Sequence, residues 1–222
     1  MVYERDSAFT TRVRALIIAN GEAPSMQLLR SLADGAQLIV AADGGAAHAL
    51  AAGLQLDAVV GDLDSVTMEM RSALPAERFH RVSDADTNDL QKAIAYCIGQ
   101  GADFVDITAA GGGRADHALA NLSVLRLFRG QAMVRIIDDF FEVSLIEGEA
   151  AVHAPIGTVL SLIAIGEATG VTTSGLRWNL ADSSLGFSPR GIHNEVAAPP
   201  AQISVAKGDV LLFRGRWVEK HT

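Results

Sequence analysis

The chain has 222 residues, 49% hydrophobic and 20% charged, enough to bury one large core or two modest ones. Its 18 Lys+Arg against 26 Asp+Glu give a formal charge of -8, which excludes a general electrostatic pull toward DNA or RNA and leaves nucleic acid an unexpected partner. Cys97 is the only cysteine, which excludes an intrachain disulfide and a cysteine-based zinc site and points to a reducing, cytoplasmic address. Met1 to Arg14 lack the apolar core of a secretory signal, and no later apolar run reaches bilayer length, so a membrane is not expected either. About ten N-terminal residues read as a disordered tail.

From Val13 to Asp138, short β-branched runs alternate with helical patterns, the mark of a parallel sheet flanked by helices. The expected strands are Arg14–Ala19, Gln37–Ala41, Asp57–Val60, Arg78–Val82, Phe104–Thr108 and Val134–Ile137. Leu90, Ile94, Cys97 and Ile98 predict a helix over Asp89–Ile98, and Leu119, Leu122, Leu125 and Leu127 predict one long helix over Asp116–Phe128. After Asp139 the texture changes to alternating runs broken by Gly, Pro, Ser and Asn: Phe141–Ile146, Thr158–Ile165 and Val210–Phe213. The expected architecture is therefore a parallel, Rossmann-like α/β domain over 1–139, followed by an all-β sandwich over 140–222.

The chemistry-bearing residues fall at the expected C-terminal ends of the parallel strands, where ligands bind in open α/β sheets. Asp43-Gly44-Gly45 follows the second strand; Asp-Gly is also a common turn dipeptide. Gly61-Asp62-Leu63-Asp64-Ser65 sets two carboxylates around one residue. About 5 Å apart, they repel by roughly 3 kcal/mol at an effective dielectric near 20, a cost that a divalent cation removes. Asp84 to Asp89 places acids before a helix, where capping and dipole compensation compete with metal coordination as explanations. Gly111-Gly112-Gly113-Arg114-Ala115-Asp116-His117 joins a strand to a helix and so reads as an anion cradle with a forked cationic donor. It is neither a Walker loop nor Gly-x-Gly-x-x-Gly. In the second half, Trp178 can stack on a flat heterocycle or lie in the core, and Trp217 reads as structural.

In this order, Asp43-Gly44-Gly45, Gly61 to Ser65, Asp84 to Asp89, Gly112 to His117 with Asn121, and Gly175-Leu176-Arg177-Trp178-Asn179-Leu180 resemble the thiamine pyrophosphokinase family. The resemblance covers most of the chain. It implies transfer of diphosphate from ATP to the hydroxyl of thiamine with release of AMP, Mg²⁺, and a homodimer whose sites lie between subunits. It further implies Asp62, Asp64 and Asp89 as metal-associated carboxylates, with Asp116 beside them at the reacting centre. Asp43, Gly44, Asn88, Gly112, Gly113 and Arg114 are implied as nucleotide contacts, and Trp178 and Asn194 as thiamine contacts. Two positions depart from the family pattern: Asn88 stands where threonine is usual before the last aspartate, and His193 stands where serine is usual before Asn194. A related diphosphokinase with another heterocyclic alcohol as acceptor, such as a pterin, and a binding regulator without turnover remain as alternatives.

Overall fold

The computed structural model describes residues 12–218, so the expected N-terminal tail lies outside it. Contacts divide the chain into two units whose sequence boundary falls between Asp139 and Phe140.

In the first unit, β1 spans Val13–Ile18, and its apolar run after Arg14, Ala15 to Ile18, is wholly buried. Such an uninterrupted apolar run belongs in the middle of a parallel sheet covered on both faces, and Leu16, Ile17 and Ile18 each contribute about 1.5–3 kcal/mol by burial. The others are β2 (Leu38–Ala42), β3 (Ala58–Gly61), β4 (Phe79–Arg81), β5 (Ala102–Thr108) and β6 (Met133–Ile137). They run in the order β4-β3-β2-β1-β5-β6, every pair parallel. The chain winds outward from β1 to β4 and then returns to β5, so the order reverses between β1 and β5. In open sheets this reversal opens a crevice beyond the carboxyl ends of the strands.

Register brings the loops to one level. Ile18 stands opposite both Ala41 and Thr108, and Ala42 opposite Val60. Asn20, Asp43, Asp62 and Ala110 therefore leave the sheet along the same edge.

The helices are α1 (Met26–Asp34), α2 (Ala46–Ala51), α3 (Met68–Ala73), α4 (Asp89–Gly99), α5 (Ala115–Asn121) and α6 (Val124–Leu127). Leu29 and Ala33 of α1 and Ala46 and Ala49 of α2 pack with Leu16, Ile18 and Ala41, while α4 packs on β2, β3 and β5. The single helix expected over Asp116–Phe128 is two. Leucines at 119, 122 and 125 recur every third residue, and on a helix of 3.6 residues per turn that stripe drifts by about 60° per step. The chain tightens instead: the N–H groups of Leu122 and Ser123 donate to Leu119 and Ala120, three residues back. Leu125 is buried, whereas Leu119 and Leu127 are exposed.

The second unit is strand-rich and antiparallel: β7 (Phe141–Ile146), β8 (Glu149–Val152), β9 (Thr158–Ser174), β10 (Ser183–Gly186), β11 (Asn194–Glu195), β12 (Ala201–Ser204) and β13 (Lys207–Val218). The sequence predicts that β9 stops at Ile165, but it continues through Gly166 and Gly170, both with positive φ, for 17 residues. Glycine lets a strand bend where other residues would end it. β9 consequently pairs with β10, β11, β12 and β13 and carries Leu160, Leu162, Ala164, Ala168 and Val171 into the core of this unit. Trp217 packs edge-on against Phe141 at 5.1 Å between ring centroids.

Candidate active site

A cavity of about 700 Å³ opens at the carboxyl edge of the parallel sheet, large enough for a nucleotide. One wall holds Asp43, Asp62, Asp64, Ser65, Asn88 and Asp89; the other holds Gly111, Gly112, Gly113, Arg114, His117 and Asn121.

Asp43 leaves β2 with a φ of 45°, unusual for a residue with a side chain, and is only 3% exposed. Its Oδ2 accepts the Ser65 N–H at 3.2 Å, while its Oδ1 is, among the described residues, the buried side-chain polar atom without a hydrogen-bond partner. Burial chiefly, then the Asp89 and Asp64 charges, push its carboxyl above the ordinary range against the lowering effect of Ser65. Asp62 and Asp64 flank Leu63, whose φ of 66° turns the chain while its side chain stays buried. One oxygen from each of Asp43, Asp62 and Asp64 lies within 4.8 Å of the others. Three hard donors, one of them buried and unsatisfied, fit a hard divalent cation.

Asp89 stands one step aside from this trio. Its Oδ1 accepts the Asp62 N–H at 3.2 Å and the Lys92 ammonium at 3.0 Å. A Cβ added at Gly61 would lie 3.0 Å from both the Asp43 Cβ and the Asp89 Oδ1, so a side chain here would press on both residues. Where the sequence reading grouped Asp62 and Asp64 with Asp89, the structure brings Asp43 closest to that pair. Asn88 serves as the N-cap of α4 in a reciprocal box with Gln91, both bonds being 2.9 Å.

Across the cavity, Gly112 and Gly113 both take positive φ, 76° and 60°. A side chain at 112 would also strike Glu22. The loop is stitched to the one after β1: the Gly21 N–H donates to the Ala109 carbonyl at 2.7 Å and the Glu22 N–H to the Gly111 carbonyl at 2.8 Å. Asn121 Nδ2 donates to the Ala110 carbonyl at 2.8 Å and ties α5 to the same turn. Arg114 forks onto Asp116, Nε to Oδ1 at 3.1 Å and Nη2 to Oδ2 at 2.6 Å, both side chains well exposed. That contact with Arg114 holds the Asp116 carboxyl down to about 2. α5 has only seven residues, so no long helix dipole stands behind this loop.

Gly44 does not line the cavity; it is buried in the turn after β2, packed against Asn20. Asn20, Gly21 and Glu22 line the cavity and went unremarked in the sequence, although Asn20-Gly21 directly after a strand marks a turn at the sheet edge. Lys92 was also missed; its signal was a lysine three residues after Asp89 on a mostly apolar helix.

Trp178 and Asn194 belong to the strand-rich unit and form one local feature. The Trp178 N–H donates to Asn194 Oδ1 at 3.2 Å, and Asn194 Nδ2 donates to the Trp178 carbonyl at 2.7 Å. The indole is 54% exposed, so it is not a core tryptophan, and the Arg177 guanidinium lies 4.9 Å from its ring centroid.

Clustered carboxylates facing a glycine loop with an arginine, on the carboxyl edge of a parallel sheet, define an α/β enzyme of the phosphate-transferring class. A family model described as thiamin pyrophosphokinase, catalytic domain, matches residues 29–137, and one described as thiamin pyrophosphokinase, vitamin B1 binding domain, matches 146–210. Thiamine pyrophosphokinase 3 of Oryza sativa subsp. japonica is 31% identical over 205 residues, covering 78% of this chain and 75% of that one. Thiamine pyrophosphokinase of Bacillus subtilis (strain 168) is 27% identical over 207 residues, covering 89% and 96%. The crystal structure of the Bacillus subtilis protein superposes with a TM-score of 0.81 at 24% identity, covering 91% of this chain and 98% of that one. The Candida albicans thiamin pyrophosphokinase reaches 0.82 at 16% identity, covering 94% and 90%. The chain belongs to the thiamine pyrophosphokinase family and is an ATP-dependent diphosphotransferase.

Proposed function

We propose that the cavity binds ATP with Mg²⁺ and that the thiamine hydroxyl attacks the β-phosphorus, forming the new P–O bond as AMP leaves. The observation that carries this reading is the unsatisfied Asp43 Oδ1, buried beside Asp62 and Asp64 in the cavity that also holds the glycine loop. Asp43, Asp62 and Asp64, with Asp89 alongside, would hold Mg²⁺, which when bound neutralises charge on the polyphosphate oxygens. The N–H groups of Gly112 and Gly113 and the Arg114 guanidinium orient the phosphates, with Asp116 holding the arginine at the cavity mouth. A carboxylate of the cluster takes the hydroxyl proton. Positioning and charge neutralisation supply most of the rate.

In this reading the Rossmann-like parallel unit is the catalytic, ATP-binding domain, and the strand-rich unit, a sandwich sharing β9, binds thiamine. Trp178 offers its exposed face to the cationic heterocycle, with Asn194 fixing the segment that carries it. We place the protein in the cytoplasm as a homodimer. The names of the relatives favour thiamine over a pterin alcohol as acceptor. Chromatography of a mixture of protein, Mg²⁺, ATP and thiamine is expected to give AMP and thiamine diphosphate. ADP with thiamine monophosphate would replace this reading with a different kinase reaction, and binding without products would mean a regulator.

A further inference from the structure

Lys92 is a buried cation directly behind a set of four carboxylates. Its side chain is 4% exposed, its ammonium meets Asp89 Oδ1 at 3.0 Å, and it does not line the cavity. Asp89 and Asp43 both border Gly61, and Asp43, whose Oδ1 is buried without a partner, offers an oxygen to the trio with Asp62 and Asp64. A charge fixed inside protein is screened far less than one in water, so the whole cluster feels Lys92. It favours the closely spaced carboxylates and opposes any further cation brought among them. A bare divalent ion meets that opposition in full. A divalent ion carried on a polyphosphate does not, because the net charge of that complex is negative.

We propose that Lys92 keeps the carboxylate cluster a weak site for a free divalent cation, so that the metal is held firmly only together with the nucleotide polyphosphate. This rests on the metal-site reading above and goes beyond it by assigning the order of binding to one residue that does not line the cavity.

The test is Mn²⁺ binding to the full chain, followed by electron paramagnetic resonance with and without a non-hydrolysable ATP analogue. Wild type is expected to bind Mn²⁺ weakly alone and at least tenfold more tightly with the analogue present. Lys92→Met should bind Mn²⁺ alone at least tenfold more tightly than wild type, and Lys92→Arg should behave as wild type. Lys92→Gln, which keeps a donor near Asp89 but no charge, should follow Lys92→Met and decides the matter if the methionine variant does not fold by circular dichroism. Unchanged Mn²⁺ affinity in the neutral variants, or affinity lost in Lys92→Met and restored in Lys92→Gln, would show that Lys92 merely holds Asp89 and overturn the proposal. Tight binding of Mn²⁺ by wild type without nucleotide would overturn it without any variant. Absence of Mn²⁺ binding to wild type under both conditions would instead overturn the metal site itself.

Discussion

Asp43, just after β2, and Asp89, the first residue of α4, both border Gly61, where a single methyl group would lie 3.0 Å from the Asp43 Cβ and from the Asp89 Oδ1. Gly61→Ala should therefore spread the carboxylate cluster at its base. Overpacking of this kind costs about 1–3 kcal/mol, and turnover is expected to fall at least tenfold in a protein that remains folded at room temperature. A thermal melt together with an AMP-release assay separates the two effects, and near-normal turnover would show that the close approach is not required.

Asp43 should trade stability against function. Burial raises its carboxyl in the folded chain, so the folded state holds this proton to higher pH than the unfolded one. Its contribution is most favourable below the ordinary value of 3.8 and declines as pH rises through the folded value. At neutral pH, Asp43→Asn should accordingly be at least as stable as wild type while losing more than a hundredfold in turnover. Mg²⁺ added together with a non-hydrolysable ATP analogue should raise the melting temperature of wild type but not of this variant, a difference that EDTA abolishes.

Asn88 closes a capping box with Gln91, so its removal is a stability change. Asn88→Ala should lower unfolding free energy by about 1 kcal/mol, measured by urea titration. KM for ATP should stay within threefold. A tenfold rise in that KM at unchanged stability would make the side chain a phosphate contact.

Trp178 is exposed, and only its backbone is bound by Asn194. Trp178→Ala should leave the melting temperature nearly unchanged, because little packing is lost. The KM for thiamine should rise at least tenfold with that for ATP unaffected; equal effects on both would remove the indole from the thiamine site.

Cys97 is sealed in α4, and burial pushes its thiol up to about 12 from 9.0. A thiol reagent at neutral pH should label it only after urea unfolds the chain, since the thiolate is the reactive form. The raised value also fixes a direction. Unfolded chains ionise here from about pH 9 and folded ones only near 12, so this thiol should erode stability as pH rises through that window.

The sequence alone determined the alternation of strands and helices in the first unit, because the buried parallel strands carry unbroken apolar runs such as Ala15 to Ile18. It also determined which loops carry acids and glycines, since those residues stand immediately after the runs. It misjudged β9 and the helix after Arg114, where local punctuation misleads: Gly166 bends a strand without ending it, and the leucine stripe does not record the tightening of the chain at Leu122 and Ser123. Only the tertiary structure decided that Asp43 rather than Asp89 completes the closest carboxylate trio and that Lys92 is buried behind Asp89. Each of those outcomes depends on strand register and on the space at Gly61. Both are set by pairings between segments distant in the chain, which no local pattern of residues records.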